Sequence, residues 1–499
     1  MSARGDRLGE GLADEVLQLI YGPRLARETA HALDYMHAVC QAHLLMLTET
    51  GLIAPQAATT VAGAMLDLEN AGAAGLPNDP ALEDLYFNYE TALTSRLGIA
   101  LGGSLHIGRS RNDIGATIDR LRARDETLAL LSQVATVRRN LLDRSRQYSD
   151  VVMPGYTHMQ PSQPVSFGFY LLGPATAFAR ETERLLAELA RMDASPLGAC
   201  AMAGTSFPID RARSAALLGF GSVANHSQDA VASRDWMIAL ASINASMAVL
   251  WSRLTQDFYI WSTMEFGMLD FPDSVAGVSS IMPQKKNPVV LEVLKANAGE
   301  VIGDLTTMLA TMRASHFTHS IDATRASLNR AWASFETCRA SLTLLALIVR
   351  TVTPRRERMA ALSWANFSTM TDLADMLTQR YGLSFREAHH VVGGVVRTAI
   401  EAKVEPAGIT PAMAAEAAGK VTASPLSCDA GTLAEAVDPA ASLSRRLSAG
   451  SPAPREIEAM LDGEYETLAR DEAAIAASAV AIRETRQALR QSIQGLAAR

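Results

Sequence analysis

Three long stretches of this chain contain neither proline nor glycine, and this feature limits the possible folds more than any other. The stretches are residues 116–153, 222–266 and 304–353. Helix interiors exclude both residues, because proline clashes and lacks a donor while glycine costs conformational entropy. Strands would need a turn every 8–12 residues or so. The stretches therefore predict helices on the order of 60–75 Å long if unbroken.

The apolar pattern predicts that these helices are buried on several sides. One helical face, with the spacing i, i+4, i+7, i+11, is formed by Ile243, Met247, Leu250 and Leu254. Trp251 and further aromatic residues widen the apolar surface beyond this stripe. Such helices need either a thick bundle or a bundle shared between subunits.

Proline and glycine positions divide the chain into three regions. Residues 1–106 predict an N-terminal domain of shorter helices, and residues 107–363 predict a central long-helix bundle domain. Residues 364–499 are rich in alanine and interrupted by prolines, which predicts a small C-terminal helical domain. The predicted fold class is all-α, with three helical domains.

Composition excludes several classes of protein. The 499 residues include 45 Lys and Arg against 53 Asp and Glu, and a net charge of −8 argues against a nucleic-acid binder. No run of 18 apolar residues and no apolar leader occur, so we expect a soluble, cytoplasmic protein without membrane contact. The cysteines lack metal-ligand or redox spacing, which predicts no metal site: Cys40, Cys200, Cys338 and Cys428.

The first of three polar segments, residues 108–113, reads Gly-Arg-Ser-Arg-Asn-Asp and precedes the stretch 116–153. Ser110 and Asn112 are favoured helix caps, and a helix N-terminus offers free N–H groups to an anion. Arg111 adds charge-assisted donors for a carboxylate. An ordinary capped helix with solvated arginines is the alternative.

The second polar segment, residues 154–164, contains three prolines and a glycine and predicts an irregular connection between two helices. Thr157 and His158 lie at its centre. A histidine can act as a general acid or base near neutral pH. The alternative is a histidine satisfied by hydrogen bonds in the core.

The third polar segment, residues 277–288, reads Gly-Val-Ser-Ser-Ile-Met-Pro-Gln-Lys-Lys-Asn-Pro. Asn287 followed by proline predicts a capped helix start, and Glu292 lies about one turn into that helix. A serine acts as a base only if its pKa is strongly lowered, so a nearby lysine and helix start suit such chemistry. A basic surface loop is the alternative.

In this order and spacing, the three segments resemble the argininosuccinate lyase branch of the fumarase/aspartase superfamily. The superfamily loop has the pattern Gly-Ser-Ser-x-Met-Pro-x-Lys-x-Asn-Pro, and residues 195–211 also resemble this branch. The resemblance covers roughly residues 40 to 400. It implies a homotetramer with a twenty-helix core, in which each active site is built from three subunits and no cofactor is used.

The resemblance also implies β-elimination from a succinyl group, with fumarate as a product. It makes Ser279 the base that removes a proton beside a carboxylate, and Lys285 and Asn287 the groups that stabilise the resulting dianion. His158 would assist the leaving nitrogen, and Glu292 would orient it. The residues expected to bind the substrate are Ser110, Arg111, Asn112, Thr157, Ser280, Met282, Asn287 and His319.

Departures from the family pattern fall mostly on the side that binds the amine. The family's Tyr, Gln and Lys for the amino-acid end correspond to His319, Thr324 and Ser327, and its guanidino-side Ser and Asp correspond to Leu25 and Thr29. Further departures are Tyr86 for His, Val278 for Gly, and Val289 for Asp.

Because a buried charge without a partner is costly, a site lacking these groups should reject arginine. We therefore favour a carbon–nitrogen lyase for another N-substituted aspartate, similar to lyases for aminopolycarboxylates such as ethylenediamine-disuccinate. The expected partners are a small dicarboxylate and an amine. Alternatives are an argininosuccinate lyase with unusual contacts, a non-catalytic relative like the lens crystallins, and another leaving group such as oxygen or nitrite.

Overall fold

The computed structural model describes residues 10–422 and 425–499, and it is 72% helical. The all-α prediction is confirmed. The first nine residues, where the predicted N-terminal domain begins, lie outside the described residues. The boundaries drawn near residues 106 and 363 stay predictions.

The α-helices of the described residues are α1 Asp14–Val16, α2 Gly22–Glu49, α3 Pro55–Ala71, α4 Leu85–Leu97, α5 Ile99–Gly102, α6 Arg111–Gln147, α7 Phe167–Arg191, α8 Arg211–Leu217, α9 Ser227–Ala232, α10 Asp235–Trp261, α11 Val289–Met312, α12 Ser327–Thr351, α13 Arg356–Ala365, α14 Met370–Tyr381, α15 Phe385–Glu401, α16 Pro411–Gly419, α17 Ala430–Val437, α18 Pro439–Arg445 and α19 Pro454–Ala497. Short 3₁₀ or π turns occur at Leu17–Tyr21, Gly72–Gly75, Pro80–Leu82, Gly103–His106, Asp273–Val275, Asp322–Ala326 and Pro406–Gly408. The strands are β1 Val152–Thr157, β2 Gln160–Ser166, β3 Ala194–Ser195, β4 Ser222–Val223, β5 Leu269–Asp270, β6 Gly277–Val278, β7 Lys286–Asn287 and β8 Thr353–Pro354.

Five long helices, α6, α7, α10, α11 and α12, form the central bundle and share one hydrophobic core. Helix α7 runs antiparallel to α6, since Arg120 near the start of α6 donates to the carbonyl of Met192 just after α7. Helix α12 runs parallel to α6, since Asn140 near the end of α6 donates to the carbonyl of Ala346 near the end of α12.

The bundle therefore has two distinct ends. We call the end where α6 begins, at Ser110, the capped end, and the end where α6 finishes, at Gln147, the hairpin end. The antiparallel strands β1 and β2 lie at the hairpin end, where the ring of Tyr156 contacts Trp261 at the end of α10. Helix α11 also begins there, because the Trp251 indole donates to the carbonyl of Leu294.

Helix α19 returns from the C-terminal region along the whole bundle. Buried Arg138 of α6 pairs with Asp471, and Arg486, further along α19, pairs with Asp125. The last turns of α19 enter the hydrophobic core around α2 and α3. A separate hydrophobic cluster holds residues 373–437 together.

Helices form in all three stretches, but two of the stretches are broken, so none reaches the length of about 60–75 Å predicted for unbroken helices. Helix α6 has 37 residues, about 55 Å, and α10 has only 27. The stretch 304–353 is divided by a break between Met312 and Asp322. The longest helix of the described residues is the 44-residue α19, about 66 Å, which includes Gly463.

Two helical spans, Asp235–Trp261 and Asp322–Thr351, are apolar and long enough to cross a membrane by length and composition alone. About half of each apolar window is buried inside the chain, 56% and 50% respectively. The buried core helix of a globular bundle passes the same test, and both spans belong to the bundle.

Candidate active site

The predicted capped start of α6 is confirmed. Ser110 is the N-cap: its hydroxyl accepts from the Asn112 N–H, and its own N–H donates to Asp113. Arg111 forms ion pairs with Glu83 at 2.9 Å and Asp84 at 3.0 Å. Both carboxylates hold the guanidinium beside the helix N-terminus, so Arg111 is fixed rather than freely solvated.

The second polar segment is a β-hairpin, so the prediction of irregular backbone there was wrong. Its strands pair across the prolines, with Pro154 opposite Pro164, and the turn is His158–Met159. Both turn residues have positive φ, +53° and +58°. Non-glycine residues adopt this conformation at a cost of about 1–2 kcal/mol each.

Thr157 and His158 are exposed at the tip of this hairpin. Burial of His158 in the core, the alternative drawn from the sequence, is therefore excluded. Two-residue hairpin turns favour positive φ at both central positions, so the turn itself accounts for this conformation and places His158 at the exposed tip.

The third polar segment forms a loop closed by the short strands β6 and β7, with Gly277 opposite Asn287. Ser279 Oγ accepts hydrogen bonds from the N–H groups of Ile281 and Met282, at 3.4 and 3.1 Å. Ser280, Met282 and Lys285 are exposed, and the Val278 side chain keeps 91% of its surface. The loop thus lies open to solvent in one chain.

Asn287 does not cap the following helix, contrary to the sequence prediction. It lies in β7, and Pro288 is the residue before α11. Val289, where the family has Asp, packs here: a Cβ on Gly277 would lie 2.6 Å from a methyl group of Val289. Glu292, in the first turn of α11, accepts from the Tyr259 hydroxyl at 3.2 Å.

His319 lies half-buried at the capped end, in the segment before α12. Burial, together with the guanidinium groups of Arg325, Arg234, Arg24 and Arg111, lowers the pKa of His319 to about 4. The imidazole is therefore neutral at pH 7. Its Nδ1 is buried without a hydrogen-bond partner.

Sequence reasoning missed a charged cluster beside His319. Arg325 pairs with Glu28 at 3.0 Å and lies 3.8 Å from Asp119, and Arg24 also pairs with Glu28. These four residues line a groove of about 1240 Å³ that also includes Arg111. The sequence feature that relates to this cluster is the glycine at position 115, because a Cβ there would lie 3.1 Å from the Arg325 guanidinium.

One chain brings the predicted residues together in two groups. Ser110, Arg111, Asn112 and His319 lie at the capped end, whereas the hairpin and the loop 277–288 lie at the hairpin end. Helix α6 alone separates Ser110 from the base of the hairpin by about 55 Å. Within the described residues, no group of three or more His, Cys, Asp or Glu side chains could hold a metal ion.

Comparisons with known proteins agree with the motifs. The family model described as Lyase matches residues 24–303, and the model described as Argininosuccinate lyase C-terminal matches residues 367–444. The chain is 37% identical to argininosuccinate lyase 1 of Shouchella clausii over 93% of each chain. It is 38% identical to argininosuccinate lyase of Methanoculleus marisnigri over 87% of each chain.

Solved structures of EDDS lyase are similar along the whole chain. The complex with formate has a TM-score of 0.87 and 32% identity, and covers 100% of this chain and 98% of its own. A variant with bound fumarate has a TM-score of 0.86 and 32% identity, and covers 99% of this chain and 98% of its own. The chain therefore belongs to the argininosuccinate lyase branch of the fumarase/aspartase superfamily and is a fumarate-releasing carbon–nitrogen lyase.

Proposed function

We propose that this enzyme eliminates fumarate from an N-substituted aspartate whose leaving amine is not arginine. The observation that carries the proposal is the burial and hydrogen bonding of the residues on the amine side. Thr324 and Ser327 are fully buried, and their hydroxyls donate to the carbonyls of Ser320 and Ala323 in their own helical segment. Neither hydroxyl is free to hold the amino-acid end of arginine.

The carboxylates of the cluster beside His319 are already paired with arginines. Glu28 and Asp119 pair with Arg325, and Asp84 pairs with Arg111. A guanidinium on the leaving amine would have to displace one of these arginines to gain a carboxylate partner, which disfavours arginine as the amine. Leu25, aligned with a guanidino-side Ser, lies in the hydrophobic core and contributes no polar contact.

Argininosuccinate lyase is the second candidate function. Relatives of that name are 37–38% identical over 87–93% of this chain, which favours it. EDDS lyase is also similar along the full chain, at 32% identity. The amine-side contacts decide our preference, because overall identity reports the shared fold and the succinyl chemistry.

Ser279 is suited to be the base in this reaction. The two backbone N–H groups that donate to its Oγ would stabilise an alkoxide, and Lys285 in the same loop adds positive charge. After proton removal, Lys285 and Asn287 would stabilise the negative charge that develops on the substrate carboxylate. His158 would hand a proton to the leaving nitrogen.

The separation of the two groups supports an active site completed by other copies of the chain. Ser110 and Asn112 would bind a carboxylate of a substrate that Ser279 and His158 reach from different subunits. Five bundle helices per chain would give the twenty-helix core in a homotetramer. Homotetramers with closed D₂ symmetry are common among soluble proteins.

Helix α11 offers a surface for such assembly. On its exposed side, Gly299 and Gly303 have open space where a Cβ would stand, and the exposed side chains Val293 on one flank and Ile302 and Leu309 on the other border these glycines. An apolar face with small residues allows a second helix to approach closely.

The decisive experiment incubates the enzyme with fumarate and a panel of amines and follows loss of fumarate by its ultraviolet absorbance. Addition to an aminocarboxylate, but not to arginine, supports the proposal, and addition to arginine alone contradicts it. Ser279→Ala should lower turnover by more than tenfold, which is about 1.4 kcal/mol of barrier. Ser274→Ala, at an exposed serine preceding the same loop, is the control and should leave turnover unchanged.

A further inference from the structure

Asp113 is a fully buried carboxylate that joins two separate segments at the capped end. One oxygen accepts from the N–H of Ser110 at 2.8 Å. The other accepts from the N–H groups of Gly198 and Cys200, at 2.8 and 2.9 Å. The same side chain therefore caps α6 and holds the backbone of the loop 196–204.

This loop is tightly packed and locally strained. Gly198 has φ +84°, and a Cβ there would lie 2.7 Å from the Arg211 side chain. Cys200 has φ +58°, which is costly for a residue with a side chain. On the other side of the loop, Arg211 Nε donates to the carbonyl of Leu197 at 2.9 Å. Asp113 thus holds the loop through two of its N–H groups, and Arg211 holds it through a carbonyl.

The loop in turn fixes a residue that the proposed function uses. Asn112 Nδ2 donates to the carbonyl of Ala201 at 3.0 Å, one residue beyond the Cys200 N–H held by Asp113. One amide hydrogen of Asn112 is thereby committed to the loop, which sets the direction of the other. Without the clamp, Asn112 would lose its orientation toward a bound carboxylate.

We propose that Asp113 is a positioning residue for substrate: its carboxylate holds the loop 196–204 so that Ser110 and Asn112 face the succinyl carboxylate. The proposal rests on the proposed function, in which this helix start binds the dicarboxylate. Asp113 itself does not touch substrate. It acts through the loop and through the backbone of Ser110.

The clamp should respond to pH, because only the ionised carboxylate accepts all three hydrogen bonds. Burial raises the pKa of Asp113 to about 6, against the three N–H donors and the charge of Arg109, which lower it. The other titratable groups facing it are Arg211 and the Cys200 thiol. The clamp is complete above pH 6 and is lost as the pH falls through 6.

Calorimetric titration of the intact enzyme with fumarate tests this, because it needs neither turnover nor the amine. Below pH 6 the fumarate affinity of the unaltered enzyme should fall, approaching a loss of about tenfold for each pH unit. Fumarate itself stays ionised there, because its carboxyls have ordinary pKa values near 4. Protonation of a histidine such as His158 would strengthen binding of the dianion instead, so the sign separates the two groups.

Asp113→Asn should bind fumarate at least about tenfold more weakly at pH 7.5, or about 1.4 kcal/mol, and without the step near pH 6. Asp429→Asn, which alters the N-cap carboxylate of the distant α17, should bind as the unaltered enzyme does. Unchanged affinity in Asp113→Asn overturns the proposal.

If that variant does not fold, the pH profile of the unaltered enzyme decides. Affinity that stays constant or rises between about pH 7.5 and 5.5 overturns the clamp. Failure of the unaltered enzyme to bind fumarate at any pH would instead overturn the proposed function.

Discussion

Argininosuccinate should be a poor substrate, and the size of the effect follows from the amine side. The hydroxyls of Thr324 and Ser327 are used by helix carbonyls, so two hydrogen bonds to charged groups of the arginine end are absent. Each such bond contributes about 1.5–3 kcal/mol, and together about 3–6 kcal/mol. We expect discrimination of about 10²–10⁴-fold against an N-substituted aspartate that fits the site.

The assay is fumarate release from argininosuccinate, followed by ultraviolet absorbance, compared with release from a succinylated aminocarboxylate. We expect kcat/KM for argininosuccinate below about 10⁴ M⁻¹s⁻¹, the lower limit of ordinary enzymes. A value above that limit would refute the reasoning, because it would require arginine contacts that these buried hydroxyls cannot make.

A variant tests the same point from the opposite direction. His319→Tyr introduces the residue that the family resemblance implies at this position. It should raise kcat/KM for argininosuccinate by up to about tenfold, since one hydrogen bond contributes about 0.5–1.5 kcal/mol. His316→Tyr, at an exposed histidine in the same segment, is the matched control and should have no effect.

Two further predictions concern assembly and stability. In the proposed assembly, Ser279 and Asn112 of one site come from different chains. When Ser279→Ala and Asn112→Ala enzymes are dissociated and mixed, about a quarter of the sites should therefore regain activity. Mixed tetramers without recovery would contradict this. Arg138→Met should lower the free energy of unfolding by about 3 kcal/mol, measured by denaturant titration, because Asp471 loses its partner in a buried pair. Arg139→Met, at a half-exposed ion pair, should cost under about 1 kcal/mol, and equal losses would refute the reasoning.

Features decided by local backbone chemistry were predictable from the sequence. The α6 start follows from Ser110 and Asp113, which satisfy free N–H groups within one turn. Absence of proline and glycine indicated helix but did not locate its ends. Residues 222–234 contain neither, yet the chain breaks there, because His226 caps the short helix α9 and Ser233 is extended.

Features decided by tertiary contacts were not predictable. Gly463 lies within α19, since packing along α6 outweighs the local cost of a glycine. The prolines of the second polar segment indicated a loop, whereas Pro154 and Pro164 occupy opposite positions of a hairpin. The charges around His319 come from α2, α6, the residue before α10 and the turn before α12, and sequence spacing does not bring them together.

The energetics of the exposed segments connect assembly with catalysis. His158 and Met159 both hold strained backbone at a solvent-exposed tip, at a combined cost of about 2–4 kcal/mol. Val278 and Ile281 expose most of their apolar surface in the loop that carries Ser279. In the proposed tetramer, neighbouring chains would bury these groups, and the free energy of association would offset both costs. The active site would then form only as the tetramer forms, because the segments that carry the base and the acid would gain their stabilising contacts from neighbouring chains.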